Sequence, residues 1–501
     1  MELPFPSILF TFLFIVFLLV KFWNRFETNN RLAPKLPPGP WKLPIIGSIH
    51  HIAGSLPHHT LRELAKKHGP LMHLKLGEIS AVVVSSPETA RDIMKIHDIN
   101  FASRPILLAT ELMSYGSANI TFSPYGGYWR QVRKLCVFEL LSTKRVQLFR
   151  SVREAEVANL IKLLASTNHS PVNLTAKLFA TAYSTTSKAA FGDETKDQQT
   201  FISIVTELTK IASGFNVADL YPSIKPFQWI SGVRQKLVKL QQQTDQILEK
   251  IIREHIEAKT RMTGESGLHE DLVDVLLKFQ DKGGEFQLKK DNIKAVLSDI
   301  FVAGSETSAT AVDWAMSEML KNPRIMKKAQ DEVRQVFSSK GSVDETEFYR
   351  LNYLKSIIKE TLRLHPSAPL LLPRECRQKC KIQGYDIPEK TRVIVNAWAI
   401  GRDPKYWEKA ECFYPERFLD SSVDYKGADF EYIPFGSGRR VCPGMSFGIA
   451  NIELLLANFL YHFDWKLPCE MKNEELDLTE TFGVTVRRRD DLYVIPIPHY
   501  F

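Results

Sequence analysis

The chain opens on an almost unbroken apolar run, LPFPSILFTFLFIVFLLVKFW over residues 3–23, with no charge before Lys21. A helix needs about 20 such residues to span a bilayer, so this run is predicted as a membrane anchor. Glu2 precedes it and the bulky Lys21, Phe22 and Trp23 follow it, unlike the basic start and small-residue site of a cleaved signal peptide. Lys21, Arg25, Arg31 and Lys35 flank its C-terminal end, which by the positive-inside rule puts the rest of the chain in the cytosol. No later segment repeats such a run, so one crossing is predicted.

Pro34, Pro37, Pro38 and Pro40 then crowd the stretch 33–41, a stiff extended spacer. Two β-rich runs around Gly77, residues 71–86, predict a strand pair with a tight turn. From about residue 88 to 360 apolar positions recur at helical spacing, with 235–259 one amphipathic example. A polar segment at 260–267 is predicted as a surface loop. Strand signals return at 380–400 and 491–497, while 445–463 and a run beginning near Asp291 predict long apolar helices. With no repeat and no break in composition after the spacer, residues 42–501 are expected to form one mainly α domain with a minor β portion.

Composition adds limits. At 501 residues, 44% hydrophobic and 24% charged, the chain is globular, and its net charge of +8 is too mild to indicate nucleic-acid binding. Six cysteines are too sparse for a disulfide framework and fit a reducing compartment. Cys376 and Cys380 form a C-x3-C pair, but no second pair stands at a spacing that would complete a four-ligand zinc site. The sequons at Asn119, Asn168 and Asn173 are read as chance matches, because a cytosolic body does not meet glycosylation.

One cysteine has unusual surroundings. In PFGSGRRVCPG, residues 434–444, Gly436, Gly438 and Gly444 let backbone come close to a flat cofactor, and backbone N–H groups can bond the Cys442 sulfur. Arg440 supplies a cation for an acidic group of such a cofactor. The following apolar helix puts Cys442 at a helix N-terminus, which favours the thiolate, a soft ligand suited to haem iron. The plain alternative is an inert buried cysteine beside a glycine turn.

The spacing Phe435-x-x-Gly438-x-Arg440-x-Cys442-x-Gly444 resembles the haem-binding signature of the cytochrome P450 family, the haem-thiolate monooxygenases, and other family features follow in order. The resemblance implies the P450 fold, haem b with Cys442 as its axial ligand, and use of O2 and NADPH. Because no dinucleotide fingerprint follows a predicted strand, electrons must come from a partner, an NADPH-cytochrome reductase by resemblance, with cytochrome b5 as a second donor. Glu360-Thr-Leu-Arg363 looks like the family's Glu-x-x-Arg pair, and Arg417 of PERF its third member, together a buried structural network. Ala303-Gly304-Ser305-Glu306-Thr307 looks like the oxygen-activation motif: Gly304 leaves room for haem and dioxygen, and Glu306 and Thr307 hold water and deliver protons. Against this stands a threonine bonded to its own turn and a surface glutamate. Trp129 and Arg133, one turn apart, and Arg374 resemble the residues that meet haem propionates. Lys134, Lys144, Arg145 and Arg439 are candidates for docking an acidic electron donor.

Within the family the chain looks most like plant endoplasmic reticulum (microsomal) enzymes, closest to sesquiterpene and diterpene oxidases. By resemblance the substrate pocket draws on Ala303, Leu370, Leu371, Leu372 and Phe482, and on residues 101–122 and 201–221, which suits a small apolar terpenoid. A phenylpropanoid or alkaloid is the runner-up. A reductase-independent isomerase or dehydratase, and a haem protein that only transfers electrons, stay open; intact Glu306-Thr307 argues against the former and the lack of His or Met in 301–310 against the latter.

Overall fold

The computed structural model describes residues 34–499 apart from 55, 193–196, 212–214, 262–269, 282–286 and 482, together with 12–14, 16 and 17. The anchor expected at 3–23 therefore lies largely outside the described residues; the five that are described there are helical and exposed. Among the described residues no helix is long and apolar enough to cross a membrane.

The architecture is mainly helical, as expected. At its centre runs the long helix Lys290–Lys321, buried on nearly every face from Ile293 to Leu320. A helix buried on nearly every face is a core element even though it carries Lys294, Glu306 and Asp313, and Pro323 just past its end stops it. Leu174–Phe191 and Met445–His462 pack against it, and their side chains join those of Asn352–Leu364 in one apolar core. The helix predicted within 235–259 spans Val233–Arg261, and the one predicted at 445–463 ends at His462, where Phe463 turns extended into a strand.

The β portion lies to one side. Leu71–Leu76 and Ile79–Val84 form the predicted antiparallel pair, with Gly77 at φ +60 in the turn. A Cβ at Gly77 would stand 2.7 Å from the Leu220 carbonyl oxygen, so the turn is also a close approach. Ile79–Val84 pairs in parallel with Arg392–Val395, which takes Arg374–Glu375 on its other edge. The stretch 380–400 is not all strand. After the hairpin of Cys380–Ile382 and Tyr385–Ile387, residues Ala397–Ile400 form a helical turn, because Asn396 caps it by accepting from the Ala399 N–H at 3.0 Å. Of the polar segment at 260–267, residues 260 and 261 still belong to the helix and the rest lie outside the described residues.

The proline-rich stretch is strapped to the body: the His73 N–H donates to the Pro38 carbonyl at 2.8 Å and the Lys35 N–H to Asp386 at 2.9 Å. Asn119 is buried and donates to Asp299 at 2.7 Å, so its sequon is closed off by packing. Cys376 is a free buried thiol that donates to the Gln378 carbonyl at 3.0 Å.

Candidate active site

A cavity of about 480 Å³ lies between the long helix and the segment that carries Cys442. Cys442 is placed by its own loop: its N–H donates to the Phe435 carbonyl at 3.0 Å, closing the bend of residues 434–444. Gly436 and Gly438 both adopt positive φ there, at +72 and +70. At Gly438 the need is strict, since a Cβ would stand 2.1 Å from the Met94 carbonyl oxygen. At Gly444 a Cβ would meet no atom within 4 Å, so that position leaves open space beside the cysteine. Burial pushes the Cys442 thiol up, while the Gly444 N–H bonded to its sulfur and the Arg133 charge pull it down toward the thiolate.

Four guanidinium groups stand together at the same end. Arg440 donates to the carbonyls of Ala102 at 2.7 Å, Ile120 at 3.1 Å and Ser123, and stacks 4.1 Å over the Trp129 ring. Arg374 donates to the Ser437 carbonyl at 2.8 Å and pairs with Asp98 at 3.4 Å. Arg133 donates to the Val441 carbonyl at 2.7 Å. Arg104, which no sequence motif pointed to, donates to Leu372 at 2.6 Å, Pro373 at 2.9 Å and Thr121 at 3.2 Å. Burial first, then repulsion from the other arginines, lowers Arg440 to about 9 and depresses Arg104; burial, opposed by Asp98, lowers Arg374 to about 10. The Asp98 carboxylate offsets part of that loss at both Arg374 and Arg440. So dense a positive cluster favours an acidic ligand.

Trp129 serves this cluster indirectly, because its indole N–H is committed to the Ile120 carbonyl at 3.0 Å and its ring supports Arg440. Phe435 packs its ring against Tyr425 at the edge of the main core. The residues present fit haem: a thiol at a helix start, open space beside it, and cations for the two propionates. Haem, when bound, supplies the activation and transfer of oxygen; Cys442 would ligate it and Arg374, Arg440, Arg133 and Arg104 would offset its acid groups.

Ala303, Gly304, Glu306 and Thr307, from the stretch that resembles the oxygen-activation motif, lie on the cavity wall. Gly304 lines the cavity, and a Cβ there would sit 3.4 Å from the Phe447 ring and 3.5 Å from the Thr186 methyl, at ordinary contact distance. The Thr307 hydroxyl donates to the Ala303 carbonyl at 2.8 Å, as a helical threonine commonly does, leaving its lone pairs as acceptors. Glu306 is not a surface residue. It is buried, and Arg487 of the C-terminal hairpin, in which Glu480–Thr481 pairs antiparallel with Arg487–Arg488, donates to its Oε1, with Nε at 3.1 Å. Burial raises the Glu306 carboxyl and Arg487 opposes that rise. Arg487 carried no motif, and only the fold brings it to the long helix.

Glu360, Arg363 and Arg417 form the expected buried network. Arg363 also donates to the carbonyls of Gly401 at 2.6 Å, Ala410 at 2.7 Å and Cys412 at 3.1 Å, while the Tyr414 N–H donates to Glu360 at 2.8 Å. Its role is structural: it locks the segments that precede the cysteine loop onto Asn352–Leu364.

Ala303, Leu370, Leu371 and Leu372 line the cavity as predicted, and Phe482 lies outside the described residues. Leu371 sits at φ +50, an uncommon state for a side-chain residue, held by its N–H on the Ala368 carbonyl at 3.0 Å. Asp299 also lines the cavity. It accepts from Asn119 at 2.7 Å and from the Thr121 N–H at 2.9 Å, and burial pushes its carboxyl up to about 6. Of the proposed docking cations, Lys134, Lys144 and Arg439 are exposed, while Arg145 is half-buried and donates to the Glu139 and Glu270 carbonyls.

Comparison with known proteins agrees with this geometry. The cytochrome P450 family model matches residues 37–492. Cytochrome P450 71D10 of Glycine max is 56% identical over 97% of this chain and 96% of its own length. Premnaspirodiene oxygenase of Hyoscyamus muticus is 52% identical over 99% of both chains, and salviol synthase of Salvia pomifera 50% identical over 99% of this chain and 98% of its own. Among solved structures, a zebra fish cytochrome P450 with abiraterone superposes with a TM-score of 0.75 at 26% identity, over 89% of this chain and 99% of that one. The chain belongs to the cytochrome P450 family, the haem-thiolate monooxygenases that take electrons from NADPH through a reductase partner.

Proposed function

We propose that this monooxygenase is held in the endoplasmic reticulum membrane by residues 3–23 and oxidises a small apolar terpenoid, a sesquiterpene or diterpene, on the cytosolic side. The observation that carries the substrate reading is the cavity wall next to Cys442, where Ala303, Leu370, Leu371, Leu372 and Val484 offer apolar surface and few hydrogen-bond donors. Relatives named for premnaspirodiene and salviol support it. In this reading Cys442 is the iron ligand, the arginine cluster neutralises the propionates, and Glu306 with Thr307 holds water and passes protons into the cavity.

The membrane reading is supported by side chains outside the anchor. Trp41, Ile45 and Trp229 are 62%, 71% and 59% exposed, which is unusual for such apolar groups. The Tyr221 hydroxyl donates to the Ile45 carbonyl at 3.3 Å, so the segment leading to Trp229 sits beside the chain that leaves the anchor. Exposed tryptophans there suit a bilayer interface.

A second reading, an aromatic or phenolic substrate, has one observation in its favour: the half-buried Asp299 places a carboxylate acceptor on the cavity wall. A relative 54% identical is named desmethyl-deoxy-podophyllotoxin synthase of Sinopodophyllum hexandrum. Co-expression with a plant NADPH-cytochrome reductase and a panel of terpene, phenylpropanoid and alkaloid substrates, read by mass spectrometry, separates the two. Oxidation of sesqui- or diterpenes is the expected result, and conversion of polar aromatic compounds alone overturns it.

A further inference from the structure

The two oxygens of Glu306 are treated differently. Oε1 takes two N–H groups of Arg487, whereas Oε2 is buried and has no partner among the described residues. Two more buried hydroxyls also lack partners there: Thr310, one turn further along the long helix, and Tyr183 on Leu174–Phe191, the helix packed against it. The Glu306 charge reaches Tyr183, whose phenol is pushed up by burial and then by that carboxylate. Buried polar atoms without protein partners, grouped together, are where internal water binds.

Asp313 stands on the same helical face, two turns beyond Glu306. It is 3% exposed and accepts the Thr175 hydroxyl at 2.5 Å. Burial raises its carboxyl to about 6, and both Arg488 and Arg487 act against that rise. Arg487 thus acts on both acids, and at 27% exposed it reaches from solvent to the buried Glu306. Its guanidinium lies 3.9 Å from the Phe179 ring centre, and the Trp314 N–H holds the adjacent Val486 carbonyl at 3.1 Å, which fixes the hairpin on the helix.

We propose that Arg487 positions Glu306 for proton transfer, and that water held by Glu306 Oε2, Thr310 and Tyr183 carries protons to it from Asp313 along this face of the long helix. The inference rests on the proton-passing role given to Glu306 above. Monooxygenation takes up two electrons and two protons as one oxygen atom enters the substrate and the other leaves as water, so protons must reach the cavity in every turnover. In each transfer Glu306 gives up the Oε2 proton toward the cavity and regains one that Asp313 passes through the water chain, and Asp313 takes a proton from bulk water in turn, so both side chains end unchanged. Arg487 occupies Oε1 and so presents Oε2 alone.

The test compares Arg487→Met, Arg487→Lys, Tyr183→Phe and Glu306→Gln in the haem-loaded protein, each checked for an intact carbon monoxide spectrum. Infrared absorption of a protonated carboxyl, assigned to Glu306 by its loss in Glu306→Gln, is followed against pH with no turnover. Arg487→Met is expected to move that titration upward by about one pH unit or more, as loss of an adjacent opposite charge does, and Arg487→Lys to restore most of it. An unchanged titration in Arg487→Met overturns the positioning role. With reductase, NADPH and no added substrate, oxygen leaves as hydrogen peroxide or, with further electrons and protons, as water. Tyr183→Phe and Arg487→Met are expected to raise peroxide released per NADPH by about twofold or more, with a larger solvent isotope effect. No change in Tyr183→Phe overturns the water path. No change in Glu306→Gln places the failure in the role of Glu306 itself and overturns both.

Discussion

Arg363 donates to both carboxylate oxygens of Glu360, at 2.7 and 2.8 Å, and both side chains are wholly shut from solvent. Arg417 reaches the same carboxylate at 3.1 Å from the PERF turn. Removing one partner of a buried pair leaves charge without compensation and costs about 3–5 kcal/mol. Arg363→Leu also strips donors from Gly401, Ala410 and Cys412, so it is expected to lower the denaturation midpoint sharply and reduce the yield of haem-loaded protein. A variant that unfolds like the wild type would show that the network does not hold the scaffold.

Cys442→Ser is expected to abolish the thiolate carbon monoxide spectrum while far-ultraviolet circular dichroism stays unchanged. A serine keeps the loop's Cys442 N–H to Phe435 carbonyl bond but removes the soft donor that iron requires. Retention of the spectrum would move the ligand to another residue.

Gly438→Ala is expected to destabilise the protein by at least about 2 kcal/mol, because φ +70 is strained for a side-chain residue. The new Cβ would also strike the Met94 carbonyl and crowd both Asp98 oxygens at 3.0 Å. Asp98 accepts the Arg439 N–H at 2.9 Å and pairs with Arg374, so haem content should fall with thermal stability. Full haem content and an unshifted melting temperature would contradict this.

Asp299 titrates near pH 6 in the folded chain, above the ordinary value of about 3.9. Between those values the folded form holds a proton that the unfolded form has released, so this group's contribution to stability falls as pH rises from about 4 to about 6. Asp299→Asn abolishes the titration and gives up an accepted hydrogen bond, so it should be less stable than wild type near pH 4 and gain on it toward pH 7. Parallel urea denaturation curves at the two pH values would refute the buried titration.

Sequence alone carried the parts of this protein that rest on local rules. The helical spacing, the strand pair at Gly77, the glycines and cysteine of residues 434–444, and the i, i+3 pair of Glu360 and Arg363 each follow from the period of a helix or the geometry of a turn, and each was legible. The helical turn at Ala397–Ile400 was misread as strand because its apolar residues suit either state and a single Asn396 cap decides. Arg104, Asp299 and Arg487 were not legible, because nothing in their neighbours marks them. Their partners lie far along the chain: Leu372 and Pro373 for Arg104, Asn119 and Thr121 for Asp299, Glu306 for Arg487. A buried charge is given its meaning by what the fold sets beside it, because the cost of desolvation is met only by particular partners in space. Local sequence determined which cofactor chemistry the chain can host; the tertiary structure decided which charges surround that chemistry.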